Sequence, residues 1–266
     1  MTAIALTIAG SDSGGGAGIQ ADLKVFSALG CYGMAAITAL TAQNTTGVSV
    51  VQELPPDFIL RQLEAIFSDI RVDAVKIGMA GSAKSIVVLG EILQKRNPPV
   101  IILDPVMIAQ SGDRLLSDDA LQAMKNYLLP LATIITPNIP EAAALLGKPV
   151  EDMEEAARAL VKQGAHAVFL KGGHSHGKFS NDVYADKKRV VTFEEKRIET
   201  RNNHGTGCAL SSAIACYMAK GLPMEEACAA GKKYITEALR HAGMKNHVRV
   251  KIEHVDSETI ESAAAT

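Results

Sequence analysis

The chain has 266 residues, a net charge of -2, 47% hydrophobic and 21% charged residues, a length and balance that suit one large α/β domain spanning residues 1–266. So small a net charge supplies no field to recruit nucleic acid or an anionic membrane, and the absence of Trp with only 4% aromatic residues argues against base-stacking platforms. No apolar run approaches the ~18 residues of a membrane span, the start "MTAIALTIAGSDSGGG" lacks the basic region of a signal peptide, and Cys31, Cys208, Cys216 and Cys228 have no CxxC spacing, so a reducing cytoplasm is the expected location.

"AIALTIAG" reads as a buried strand, followed by a glycine-rich turn and the helix "GIQADLKVFSALG". "YGMAAITALTAQ" is a second apolar run, "DFILRQLEAIFSDI" has helical spacing, and "DAVKIGM" is a strand. A helix "AKSIVVLGEILQKR" leads to "PVIILDPVM", the strongest buried strand. "SDDALQAMKNYLLP" opens on Ser117 as an N-cap and ends at Pro130. "ATIITPN" is a strand, and "PEAAALLG" a short helix with Pro140 at its start and Gly147 past its end. "MEEAARALVKQGA" and "HAVFLKGG" form another helix–strand unit, and "DVYADKKRVVTFEEKRI" reads as an antiparallel hairpin. Two helices start near Cys208 and Pro223, and the polar tail after His241 carries no clear signal.

Alternating strands and helices predict a mainly parallel central sheet with helices on both faces and a small antiparallel hairpin. Ligands of such sheets sit at the carboxyl ends of the strands. The residues expected there are 10–18, 43–44, 78–79, Asp104, Asn138 and 171–173.

The stretch "HGTGCALSSA" places Gly205, Thr206, Gly207 and Cys208 where a helix begins. Glycines permit positive φ and close approach, and the exposed N–H groups and dipole of a helix start bind phosphate. A cysteine on that first turn is expected to ionise more readily than an ordinary thiol; the alternative is a glycine turn opening a packed helix. "GSDSGGGAGIQAD" is glycine-dense enough to close over a ligand, with Asp22 on the helix it introduces; a plain surface loop with a solvated Asp22 is the alternative. Asp104, ending the most apolar strand, requires a partner or a metal. Asn138 and Glu141 sit at the next strand end, where oxygen ligands suit Mg²⁺; Glu141 as an ordinary first-turn helix carboxylate is the competing reading. "GGHSHGKF" nearly matches a phosphate loop but has Phe179 where a hydroxyl belongs and precedes a hairpin. His174 and His176 within it read as solvent-exposed rather than metal-binding. GTGC is not a dinucleotide fingerprint, which counts against a dehydrogenase.

Taken together, "LTIAGSDSGGGAGIQADLKVFSALGCYG", "ITALTAQNTTGV", "KIGM", "LDPVM", "TPNIPEAAALLG", "LKGGH" and "NNHGTGCALSSA" resemble the ribokinase-like superfamily, within it the hydroxymethylpyrimidine and phosphomethylpyrimidine kinases of thiamine biosynthesis. The likeness runs in order from about residue 5 to 215. It implies ATP- and Mg²⁺-dependent phosphoryl transfer to a hydroxymethyl group and then to the monophosphate. Carried over by motif, residues 205–208 supply an anion hole and Cys208 the general base, where many sugar kinases of the superfamily have aspartate. Gln43 would pair with the aminopyrimidine, with Gly10, Ala17, Asp22, Met79 and Val106 around it. Asp104 and Glu141 would organise Mg²⁺, while Asn138 and Lys171 would meet the ATP phosphates. The resemblance also implies a small-molecule substrate, leaves room for a homodimer, and carries no expectation of a fused thiamine-phosphate synthase. The rival within the same branch is a pyridoxal/pyridoxine kinase, for which methionine is expected in place of Gln43 and alanine in place of Thr206. A non-catalytic nucleotide sensor on this scaffold is disfavoured by the presence of Cys208, Asp104 and Glu141.

Overall fold

A computed structural model describes residues 2–44, 47–107, 116–173, 177–200 and 204–241. Among the described residues, nine strands form one sheet in the order β3-β2-β1-β4-β5-β6-β7-β8-β9. Its parallel centre comprises β2 (Tyr32–Asn44), β1 (Ile4–Asp12), β4 (Ala74–Ile77), β5 (Ile101–Leu103), β6 (Ile134–Ile135) and β7 (Ala167–Leu170). The hairpin expected at the carboxyl-terminal side is β8 (Asp182–Asp186) and β9 (Val190–Phe193), antiparallel to each other, with β8 antiparallel to β7.

The opposite edge differs from expectation. Residues Gly47–Glu53 form β3, antiparallel to β2. Most of this strand is exposed, so its sequence shows none of the inside–outside alternation that marks a half-buried strand. The β2–β3 register slips between Ala42 and Gln43, the kind of bulge that re-aims a side chain.

Alternation along the central strands sends side chains to two cores. Leu6, Ile8, Val75, Ile77, Ile101 and Leu103 pack on one face with α2 (Pro56–Asp69), α3 (Ala83–Arg96), α4 (Asp118–Ala123), α5 (Ile139–Leu146) and α6 (Met153–Lys162). Ala5, Ala74, Ile102 and Ile134 pack on the other with α1 (Gly18–Ala28), α7 (Thr206–Ala219) and α8 (Met224–His241). Both faces are therefore covered, as a parallel sheet requires. Ser117 does stand at the α4 N-cap, but its hydroxyl bonds the Asp119 carboxylate rather than a backbone amide. No helix among the described residues is long and apolar enough to cross a membrane. His174, His176 and the tail after His241 lie outside the described residues.

One ion pair ties the second face together. Lys76 on β4 donates to both oxygens of Asp22 on α1, at 2.9 and 2.8 Å, and both side chains are fully buried. Thr7 of β1 donates to Asp22 Oδ2 at 2.6 Å and Ser212 of α7 to Oδ1 at 2.7 Å. Burial opposes the Lys76 ammonium, but Asp22, Cys208 and Asp104 around it raise its pKa overall. Four elements thus meet on one carboxylate, each lone pair satisfied.

Removing one partner would leave a buried charge, so Lys76→Met is expected to cost about 3–5 kcal/mol in urea denaturation. The double variant Lys76→Met/Asp22→Leu is expected to recover most of that loss, because no charge remains uncompensated. A double variant no more stable than Lys76→Met would contradict this.

Candidate active site

The carboxyl ends of β1, β2, β4, β5, β6 and β7 carry the expected polar residues, and the start of α7 faces them. α7 begins at Gly205, whose φ of 77° is left-handed and whose Cβ position would overlap the Gly16 carbonyl oxygen. Only glycine fits both demands. Gly207 is helical; its glycine serves proximity, since a Cβ there would lie 3.3 Å from Lys171 Nζ. No acidic residue occupies the first turn of α7, so its positive end is not offset locally.

Lys171 ends β7 and donates to Asp104 Oδ1 at 2.8 Å; its ammonium lies 3.9 Å from Glu141 Oε2. Asp104 is buried at the end of β5 and also accepts from Thr136 (3.0 Å) and from Ser211 of α7 (3.1 Å). Burial opposes the Lys171 charge, and Asp104 and Glu141 outweigh it, raising the pKa. Asn138 and Glu141 form a reciprocal capping box at the start of α5: the Asn138 carboxamide accepts from the Glu141 N–H at 2.8 Å and Glu141 Oε2 from the Asn138 N–H at 2.8 Å. Burial and then Asp104 push the Glu141 carboxyl up to about 7, against the pull of Lys171 and of the Asn138 and Met107 amides. Val106 lies partly exposed just beyond Asp104, its N–H donating to the Asp104 carbonyl at 2.8 Å.

Cys208 stands on the first turn of α7, half-buried, with the Gly18 amide directed at its sulfur. The sequence predicts a lowered thiol pKa; the structure reverses the sign. Burial raises it to about 11, with Lys76 opposing and Asp22 and Asp104 adding to the rise. Burial is the largest cause, and the Asp22 and Asp104 carboxylates add to it against the pull of Lys76 and the Gly18 amide.

Asp22 has a different task from the expected substrate contact. Its oxygens take four hydrogen bonds from Thr7, Lys76 and Ser212, and it has no exposed surface. The glycine loop of residues 13–17 also closes on the protein itself. Asp12, which the sequence reading passed over, accepts from the amides of Gly14 (2.7 Å), Gly16 (3.0 Å) and Ala17 (2.8 Å), so the amide nest that binds anions elsewhere holds its own carboxylate. His204 Nε2 lies 3.0 Å from Asp12 Oδ2. Burial raises the Asp12 pKa, yet His204 and the amides together leave it below the ordinary value.

Gln43 is half-buried at the end of β2. Its backbone N–H donates to Ser13 Oγ at 2.8 Å, the Ser13 hydroxyl donates to its carbonyl at 2.7 Å, and its Oε1 accepts from Thr41 at 3.1 Å. Gly10 lies beneath Met79, where a Cβ would come within 2.5 Å of Met79 Cε. Gly10, Gln43 and Met79 thus lie at the ends of β1, β2 and β4, and Asp104, Asn138 and Lys171 at those of β5, β6 and β7, with Gly205 against Gly16 and Gly207 near Lys171. Thr136, Ser211, Lys76, Ser212, Asp12 and His204 support them and were not anticipated; a hydroxyl or charge inside an otherwise apolar strand or helix was the available signal for Thr7, Lys76 and Ser211.

Two buried carboxylates, Asp104 just beyond β5 and Glu141 in the first turn of α5, are an oxygen donor set that fits Mg²⁺. No group of three His, Cys, Asp or Glu side chains that could hold a metal occurs among the described residues, so phosphate and water would complete such an ion's shell.

Residues 12–253 match the family described as phosphomethylpyrimidine kinase. A hydroxymethylpyrimidine/phosphomethylpyrimidine kinase of Rhizobium meliloti is 50% identical over 246 residues, covering 91% of this chain and 92% of the relative. A phosphomethylpyrimidine kinase structure from Clostridium difficile has a TM-score of 0.79 at 46% identity, covering 89% of this chain and 99% of that one. A pyridoxal kinase from Staphylococcus aureus, in complex with AMP-PCP and pyridoxal, has a TM-score of 0.84 at 37% identity, covering 92% and 91%. The backbone alone does not separate the two activities, but sequence identity and the family match do: this chain belongs to the phosphomethylpyrimidine kinase family.

Proposed function

We propose that the protein transfers the γ-phosphoryl group of ATP to the hydroxymethyl group of 4-amino-5-hydroxymethyl-2-methylpyrimidine, and then a second phosphoryl group to the monophosphate. The observation that carries this reading is the glycine-bounded start of α7, with Cys208 on its first turn, set against Lys171 and the Asp104–Glu141 carboxylates. The Staphylococcus aureus pyridoxal kinase is in complex with AMP-PCP and pyridoxal, which supports ATP as donor here.

In this reading the ring lies beside Gln43, whose amide both donates and accepts and so matches an aminopyrimidine edge. Gly10, Ala17, Met79 and Val106 surround it, and Asp22 acts from behind through Lys76. Asn138 and Lys171 meet the ATP phosphates. The first amides of α7 and the Lys171 ammonium stabilise charge on the transferring group, so most of the catalysis is positioning and electrostatics. The substrate hydroxyl gives its proton to the Cys208 thiolate, the minor form of that side chain at neutral pH, as its oxygen bonds to phosphorus and ADP departs. Asp104 and Glu141 would hold Mg²⁺, which when bound neutralises phosphate charge. A cytoplasmic location belongs to the same proposal, and exposed Leu40, Val50 and Val51 at the β2–β3 edge are compatible with a homodimer.

The direct test is incubation with Mg-ATP and, separately, hydroxymethylpyrimidine, its monophosphate, pyridoxine and pyridoxal, with products identified by mass. Phosphorylation of both pyrimidines is expected; turnover of the pyridines alone would overturn the reading. Gln43→Met is expected to raise KM for the pyrimidine by about tenfold to a hundredfold, the equivalent of a lost buried hydrogen-bond partner at ~1–3 kcal/mol, with KM for ATP little changed. Unaltered pyrimidine kinetics would remove Gln43 from the site. Glu141→Gln retains an acceptor for the Asn138 N–H, so its melting temperature should stay near wild type while the Mg²⁺ needed for half-maximal rate increases. An unstable variant with ordinary Mg²⁺ dependence would make Glu141 structural only.

A further inference from the structure

A continuous set of contacts joins the ring end of the cleft to the anion hole. Gln43 is bonded through its backbone to Ser13, in both directions, at 2.7 and 2.8 Å. Ser13 follows Asp12, whose carboxylate gathers the amides of Gly14, Gly16 and Ala17. The same carboxylate takes the His204 ring at 3.0 Å, and His204 immediately precedes Gly205. The pair is shielded: Asp12 is 2% and His204 17% exposed at the side chain. Packing leaves the two segments no slack, because a Cβ on Gly16 would sit 2.5 Å from His204 Cδ2 and one on Gly205 would overlap the Gly16 carbonyl oxygen. A shift of loop 13–17 must therefore displace the first turn of α7.

We propose that Asp12 and His204 are a positioning pair that couples occupancy of the pyrimidine end to the placement of the anion hole. Neither touches the reacting atoms; Asp12 has its oxygens turned to its own loop and to His204. A ring seated against Gln43 and Ala17 fixes loop 13–17, and through Asp12–His204 it fixes Gly205 and the amides that receive the phosphoryl group. Coupling of this kind is reciprocal, so a bound nucleotide must tighten pyrimidine binding by the same factor. The inference rests on the kinase reading above but has a readout that does not require turnover.

The test is calorimetric titration of hydroxymethylpyrimidine into wild type, His204→Ala, His204→Gln and Ser13→Ala, each with and without a non-hydrolysable ATP analogue, alongside steady-state kinetics. Wild type should bind the pyrimidine several-fold more tightly with the analogue present. His204→Ala should lose that difference and about tenfold to a hundredfold in kcat, the scale of an ångström-size misplacement, with KM for ATP within about threefold of wild type. His204→Gln, whose Nε2 can still donate to Asp12, should recover most of both. Ser13→Ala, an exposed change at the other end of the chain of contacts, should also weaken the coupling and keep the fold. Equal binding with and without the analogue in wild type would overturn the inference, as would full coupling in both His204→Ala and Ser13→Ala. Coupling without any phosphorylated product would refute the kinase reading alone.

Discussion

The buried contact between Lys76 and Asp22 is the constraint on which the rest of the site depends. It draws β4, α1, β1 and α7 to one point through Lys76, Asp22, Thr7 and Ser212. An ammonium and a carboxylate with no exposed surface are stable only as a pair with their remaining hydrogen-bond capacity filled. That requirement fixes where α7 starts relative to the carboxyl edge of the sheet. A layer of alanines and aliphatic side chains would pack the same helix with less positional definition.

Around that anchor the cleft is assembled from two kinds of close approach. Glycines at 16, 205 and 207 let backbone and charge come nearer than any side chain would allow. Carboxylates at 104 and 141 collect Lys171, so the resting site sets two acids against one ammonium before a nucleotide enters. The arrangement has a chemical consequence. Cys208 lies near Lys76 but also near Asp22 and Asp104, and burial holds its thiol up at about 11. At neutral pH the neutral thiol therefore predominates over the thiolate. Only the thiolate can accept the substrate proton, so a rate that depends on Cys208 as base must rise with pH toward the thiol pKa.

The fold class and most of the edge residues were legible in the sequence because parallel strands are buried on both faces and announce themselves as apolar runs. The short helix at Asn138 was legible for a local reason, its proline and glycine at the two ends. β3 was not, since an exposed edge strand carries no burial pattern. Asp22 illustrates a further limit. One-dimensional reading finds a carboxylate beside a glycine loop and assigns it to the ligand; only the register of β1 against β4, which sets Thr7 beside Lys76, reveals that its partners are internal. The Cys208 pKa failed for the same reason: the helix start is a local feature, but the burial that raises the thiol, and the Asp22 and Asp104 carboxylates that add to it, come from distant parts of the chain. Asp12 and His204 are 192 positions apart, and nothing local links them.

In the proposed reaction the Cys208 thiolate accepts the substrate proton at an anion hole made by the start of α7. Measurement of kcat for Cys208→Ala, with binding of a non-hydrolysable ATP analogue as the control for an intact site, tests it most directly. The account predicts a loss of about 10²–10⁴ in kcat with analogue affinity close to wild type, and partial activity in Cys208→Asp, where a carboxylate takes over as base. Cys208→Ala turning over at the wild-type rate would contradict it and leave Cys208 as a packing residue.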